Sequence, residues 1–118
     1  MHVLVVDDLK EDRFIIKKLL TPRFNVTTLS SAPEARAFAM SRGFDVVVVS
    51  AMLREDLDGI ALLRDLKAIC PNNFLVLACT CHPEPTRTRK LLQAGFKDIL
   101  LKPFDVNAFT HLVNEGRA

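Results

Sequence analysis

The chain has 118 residues, of which 49% are hydrophobic, 25% charged and 7% aromatic, which suits one soluble domain. All eight aromatic residues are Phe, so no Trp or Tyr can stack on bases, and a net charge of +2 gives no reason to expect direct nucleic-acid binding. The longest apolar run, residues 46–53, is too short to span a membrane, and the N-terminus lacks the pattern of a secretory leader. Three cysteines, an odd number, argue against a disulfide framework. We therefore expect one domain, residues 1–118, in the reducing cytoplasm.

The predicted elements alternate between strand and helix along the whole chain. Short runs rich in β-branched residues indicate strands at 3–6, 26–29, 46–49, 74–79 and 99–101. Apolar residues three and four apart indicate helices at 12–20, from Ser31 to Gly43, and at 59–68, 85–94 and 106–114. Five strands, each followed by a helix, predict an α/β fold in which a parallel sheet has helices on both faces.

Two of these helices have signals of their own. The spacing in the first helix puts a largely apolar group on one side, formed by Phe14, Ile15, Lys18 and Leu19. Asp58 has the residue type of an N-cap and is predicted to precede the third helix.

Polar residues directly follow four of the predicted strands. They are Asp7-Asp8 after the first strand, Ser50 after the third, Thr80 after the fourth and Lys102-Pro103 after the fifth. An acidic pair alone is adequately explained as a solvated loop with a helix cap. In an open parallel sheet, however, sites form beyond the carboxyl ends of the strands, so these residues are predicted to converge. Together they indicate a site for a cation and a phosphoryl group.

These residues resemble the receiver domain of bacterial two-component response regulators. The resemblance extends over nearly the whole chain, in the family's order and with nearly its spacings. It rests on Val3-Leu4-Val5-Val6-Asp7-Asp8, Asp45-Val46-Val47-Val48-Val49, Asp58-Gly59, Thr80 and Lys102-Pro103-Phe104. It implies a flavodoxin-like, doubly wound, five-stranded parallel sheet of order 2-1-3-4-5 with five helices.

The resemblance also implies a role for each site residue. Asp7 and Asp8 match the acidic pair that holds Mg²⁺, and Thr80 matches the hydroxyl residue that bonds the phosphoryl group. Lys102 matches the lysine that pairs with that group, and Pro103 matches the proline that follows it through a cis peptide bond.

Ser50 departs from the family pattern, because receivers carry the phosphoryl-accepting aspartate at this position. A carboxylate is ionised at neutral pH, whereas a serine hydroxyl needs a base to remove its proton. The change also removes one of three expected acidic ligands, so Mg²⁺ binding should be weakened. A purely structural role for Ser50, as a small polar residue bonded to Asp8 or Lys102, is sufficient to explain it.

Other departures lie around the same site. Cys81 is larger than the usual Ala or Gly after the threonine position, and Arg54 replaces a loop proline. Glu55-Asp56-Leu57 makes the interval to Asp58-Gly59 one residue longer than usual. Ile99 stands where many receivers have a Tyr or Phe. Together these changes favour a receiver scaffold that no longer runs the ordinary phosphorylation switch.

Two further groups have competing interpretations. The basic residues Arg87, Arg89 and Lys90, joined by Lys97, form either a solvated helix face or, with Ile99, the output face that receivers use for partners. The fragment Cys79-x-Cys81-His82 has ligand types that suit zinc, but a closed site needs four ligands, so cysteines that fill the core and the site's rim are favoured.

Three hypotheses follow. The leading one is a non-enzymatic pseudo-receiver that signals through protein–protein contacts without aspartyl phosphorylation. Its partner would be a histidine kinase, an output domain or another regulator, with a homodimer as a further arrangement. The second is a phosphorelay receiver that uses Ser50 or a nearby acid such as Asp8. The third is a small flavodoxin-like enzyme, against which the chain has no Gly-rich phosphate loop and no Gly-x-Ser-x-Gly elbow, so no organic cofactor is expected.

Overall fold

The computed structural model describes residues 1–50, 56–70, 73–81 and 84–117. The strands are β1 (His2–Val6), β2 (Asn25–Leu29), β3 (Val46–Ser50), β4 (Leu75–Thr80) and β5 (Asp98–Leu101). The helices are α1 (Lys10–Leu20), α2 (Ala32–Ser41), α3 (Asp56–Ile69), α4 (Pro85–Ala94) and α5 (Val106–Arg117). All strand pairs are parallel and their order is β2-β1-β3-β4-β5. This confirms the predicted fold class and strand order.

An apolar core lies on each face of the sheet. The central strands β1 and β3 supply both cores, because their side chains alternate between the two faces and are buried on both. On one face α1 and α5 cover the sheet, and on the other face α2, α3 and α4 cover it. Their buried contributions are Ile16, Leu20, Phe109 and Val113 on the first face and Ala35, Leu62, Leu66 and Leu91 on the second.

The apolar side expected for α1 is turned away from the sheet. Phe14, Ile15 and Leu19 are 67%, 48% and 39% exposed, whereas Ile16 and Leu20 are buried against the sheet. The helix has apolar residues at 14, 15, 16, 19 and 20, so two neighbouring stripes have helical spacing. Only packing against β1 and β2 selects the stripe of Ile16 and Leu20. The other stripe forms an exposed apolar surface, called here the α1 patch: Phe14, Ile15 and Leu19.

The start of α3 also differs from the prediction. The helix begins at Asp56, so Asp58 lies inside it and is not the N-cap. Acidic residues are favourable throughout the first turn of a helix because they oppose the positive end of its dipole. The residue type therefore did not distinguish a cap from a first-turn position. Arg54 and Glu55, two of the predicted loop departures, lie outside the described residues.

Three other helix starts follow the capping chemistry of their residues. The Ser31 side chain accepts a hydrogen bond from the Glu34 N–H at the start of α2. At the start of α4, the Glu84 carboxylate accepts hydrogen bonds from the N–H groups of Thr86 and Arg87. These contacts lower the pKa of Glu84. Asp105 accepts in the same way from Asn107 at the start of α5.

Within the described ranges, every helix is too short or too polar to pass through a bilayer.

Candidate functional site

Three buried polar residues lie together at the carboxyl edge of the sheet. In the described part of the chain, the buried polar or charged residues are Asp7, Ser50 and Thr80, each 1–2% exposed. The pairing of Val6 with Val49 puts Asp7 level with Ser50, and Ser50 pairs with Cys79, one residue before Thr80. Burying polar groups costs free energy unless they are hydrogen-bonded. Their concentration at one edge of an otherwise apolar sheet therefore marks this edge as the candidate site.

Lys102 reaches this edge from the end of β5. Its backbone N–H donates to the Thr80 carbonyl at 2.8 Å, which continues the β4–β5 ladder by one residue. Its Nζ lies 2.9 Å from Asp7 Oδ2 and 2.6 Å from Asp12 Oδ2. Burial lowers the pKa of Lys102, but the hydrogen bonds and negative charges of Asp12 and Asp7 outweigh that effect, so the pKa is raised. Lys102 is therefore a charged ammonium held between two carboxylates.

Asp7 is fixed through both of its carboxylate oxygens. Oδ1 accepts a hydrogen bond from the Leu9 N–H at 2.9 Å, and Oδ2 accepts from Lys102. The carbonyl oxygen of Asp7 accepts from Arg13 Nη1 at 2.6 Å. Asp8, by contrast, is exposed. The two members of the acidic pair therefore differ: one is a buried part of a charge network and the other faces solvent.

The acidic pair implied to hold Mg²⁺ is present at this edge, and Asp7 is already paired with the Lys102 ammonium. Mg²⁺ needs near-octahedral oxygen ligation, and both oxygens of Asp7 are already engaged by protein donors. Among the residues that the structure describes, no three His, Cys, Asp or Glu side chains are grouped to hold a metal ion. The ammonium group of Lys102 contacts Asp7 Oδ2.

The remaining predicted residues lie in different places. The peptide bond between Lys102 and Pro103 is cis, so Pro103 lies directly beside the site. Arg87, Arg89 and Lys90 are on α4, and Ile99 is on β5. Arg89 and Lys90 are exposed, whereas Arg87 and Ile99 are half-buried.

Among the residues that the structure describes, the cysteines near the site are not grouped with further metal ligands. Burial raises the pKa of the Cys79 thiol to about 12, so it stays protonated at neutral pH. Cys81, one residue past β4, is exposed. His82, the third member of the fragment considered for zinc, lies outside the described residues.

Comparison with known proteins identifies the family. A family model for the response regulator receiver domain matches residues 3–114. The chain belongs to the response regulator receiver family. Receiver domains of response regulators are signalling domains of two-component systems, not enzymes, and they generally bind Mg²⁺ at the phosphorylation site.

Named relatives and structures agree with this membership. The two-component response regulator ORR3 of Oryza sativa is 30% identical over 116 residues, which are 96% of this chain and 88% of the relative. A receiver domain from Clostridium thermocellum superimposes with a TM-score of 0.83 at 28% identity, covering 97% of this chain and 91% of the other. The beryllofluoride-activated NtrC4 receiver dimer matches with a TM-score of 0.84 at 25% identity, covering 97% and 93%.

Asp12 is the residue of this receiver's site that the sequence did not reveal. It lies in the first turn of α1, where an acid is already explained by the helix dipole. One signal was present: helical side chains lean toward the N-terminus, and the N-terminus of α1 adjoins the end of β1. An acid one turn after the Asp7-Asp8 pair is therefore directed back toward the strand ends.

Proposed function

We propose that this receiver is a pseudo-receiver: it signals through protein–protein contacts and does not use aspartyl phosphorylation. The observation that carries the proposal is the combination of Ser50 at the end of β3 with the Asp7–Lys102–Asp12 network. By the family resemblance, Ser50 stands where receivers carry the acceptor aspartate.

The surroundings of Ser50 favour a structural role over a nucleophilic one. A serine hydroxyl attacks phosphorus only when a base removes its proton. Asp7 and Asp12, the carboxylates of the network, are both engaged by Lys102. Of the two histidines within the described ranges, His2 bonds to Thr27 at the opposite end of β1, and His111 pairs with Glu115 on α5. These carboxylates and imidazoles therefore have other partners, which supports a structural role for Ser50.

Weakened Mg²⁺ binding is part of the same proposal. Two carboxylates remain of the three that the family pattern requires, and Asp7 is paired with an ammonium. A divalent cation would have to displace or repel the Lys102 charge to reach Asp7. Receivers generally bind Mg²⁺ at the phosphorylation site, so weakened binding supports signalling that does not use phosphorylation.

The surface of the domain offers contacts for a protein partner. The α1 patch exposes three large apolar side chains next to each other on one helix, an arrangement that marks interaction surfaces. Lys17 and Lys18, also exposed, flank it. We propose the α1 patch as one contact surface of this receiver.

The basic residues of α4 form a second proposed surface. Arg87, Arg89 and Lys90, together with Ile99 of β5, are the output face implied by the family. The NtrC4 receiver is a dimer, so a second copy of this chain is a candidate partner beside a histidine kinase, an output domain or another cytoplasmic regulator.

The test of the proposal is intact-mass analysis after incubation with Mg²⁺ and acetyl phosphate. The expected result is no added phosphoryl group on the wild-type domain. Hydroxylamine cleaves acyl phosphates, so an added mass that hydroxylamine removes would place a phosphoryl group on a carboxylate and refute the proposal. An added mass that resists hydroxylamine and disappears in Ser50→Ala would replace it with a serine-phosphorylated receiver.

A further inference from the structure

Asp12 makes the shorter of the two contacts to Lys102. The Nζ–Oδ2 distance is 2.6 Å to Asp12 and 2.9 Å to Asp7. The Lys102 side chain is 12% exposed and that of Asp12 is 28% exposed, so the contact is partly shielded from water. Shielding strengthens an ion pair relative to one on an open surface.

The contact also joins two segments that are far apart in the chain. Asp12 is in the first turn of α1, and Lys102 begins the turn between β5 and α5. Ile15 and Ile16 of α1 and Pro103 and Phe104 of this turn line a common small cavity of about 60 Å³. Asp12 and Lys102 line the same cavity, so the ion pair is part of the contact between α1 and the turn.

Charge balance explains why an acid is needed on α1. A buried or half-buried ammonium requires compensating charge, and β3 ends in the neutral Ser50. Asp7 divides its oxygens between Lys102 and the Leu9 N–H. Asp12 supplies the second carboxylate that contacts the Lys102 ammonium.

We infer that Asp12 is a positioning residue that supplies the counter-charge missing at Ser50 and holds Lys102 to α1. This inference deepens the proposed function, on which the role of position 50 rests. It has a specific consequence: restoring a carboxylate at position 50 is insufficient to restore phosphoryl transfer. Asp12 competes for Lys102, and its negative charge opposes an incoming phosphoryl dianion.

The test compares Ser50→Asp with Ser50→Asp/Asp12→Asn in Mg²⁺ and acetyl phosphate. In the reaction, a carboxylate oxygen introduced at position 50 attacks phosphorus, the bond from phosphorus to the acetate oxygen breaks, and acetate leaves with the electron pair. We expect the double variant to be labelled at least about tenfold faster, which corresponds to about 1.4 kcal/mol in the barrier. The matched control is Ser50→Asp/Glu11→Gln, which neutralises the exposed adjacent acid and should leave the rate of Ser50→Asp unchanged.

A second measurement tests the ion pair without any labelling. Asp12→Asn should raise the unfolding equilibrium constant in urea about tenfold in the wild type, and less than about twofold in the Lys102→Met background. If the Asn side chain of Asp12→Asn does not fit at this position, both experiments are repeated with Asp12→Ser, which has a smaller neutral side chain.

The outcomes separate the two ideas. The role of Asp12 would be overturned if Ser50→Asp and Ser50→Asp/Asp12→Asn were labelled equally. It would also be overturned if Asp12→Asn changed stability equally with and without Lys102. Either result would leave the pseudo-receiver proposal standing. Labelling of the wild-type domain on a carboxylate would refute the pseudo-receiver proposal, while the urea experiment would still decide whether Asp12 holds Lys102.

Discussion

Replacing Asp7 by Asn tests whether the buried carboxylate stabilises the strand-end network. Asp7 is 1% exposed, and its two oxygens accept hydrogen bonds from Leu9 and Lys102. An amide offers one oxygen for these two donors, and its NH₂ group then faces the other donor. A hydrogen bond to a charged group contributes about 1.5–3 kcal/mol, and removing one partner of a buried pair costs about 3–5 kcal/mol. Because Asp12 still compensates Lys102, we expect a loss of about 2–4 kcal/mol.

Asp8→Asn is the matched control, since it makes the same chemical change one residue away. Asp8 is exposed, so Asp8→Asn should change the free energy of unfolding of the domain by no more than about 0.5 kcal/mol. Urea unfolding of both variants at pH 7, followed by circular dichroism, measures the difference. Equal losses in the two variants would show that burial and the contact with Lys102 do not set the contribution of Asp7.

Three further predictions concern ionisation, packing and thiol reactivity. Because the pKa of Lys102 in the folded protein is raised above 10.5, its stabilising contribution is fully present below pH 10.5 and is lost as the pH rises through the folded pKa. Above pH 10.5 the stability of the wild type should therefore fall more steeply than that of Lys102→Met, and parallel pH curves would contradict this. Phe14→Ala should change the unfolding free energy by less than about 0.5 kcal/mol in urea, whereas Phe109→Ala, at a fully buried position, should cost about 3–5 kcal/mol; similar losses would contradict the assignment of the exposed side of α1. In a maleimide time course read by peptide mass, Cys81 should be modified in the native protein and Cys79 only after denaturation; native labelling of Cys79 would show that its strand end opens.

The strand order and the positions of most elements could be inferred from sequence because local and global signals agree. The valine run of β3 suits only a strand buried on both faces, and the residues after each strand match one family in order and spacing. The carboxyl-edge site follows from that topology, since parallel strands bring residues such as Asp7 and Thr80 to one edge. Their identities were therefore available without coordinates.

The start of α3 was predicted incorrectly, and the apolar side of α1 named from its spacing is not the side that the sheet buries. At both places two neighbouring alternatives satisfy the same local rule: Asp56 and Asp58 both suit the start of a helix, and two stripes of α1 both have helical spacing. In α1, the choice between the two stripes depends on which side chains the sheet can bury.

The amino-acid sequence by itself determined the sheet, the residues at its carboxyl edge and the absence of an acid at position 50. Only the tertiary structure revealed that Lys102 is held by Asp12, because the two residues are 90 positions apart and belong to different elements. An ion pair of this kind depends on a distance of a few ångströms between side chains, and no local pattern encodes that distance. The same applies to the α1 patch, whose exposure follows from the stripe of α1 that packs against β1 and β2.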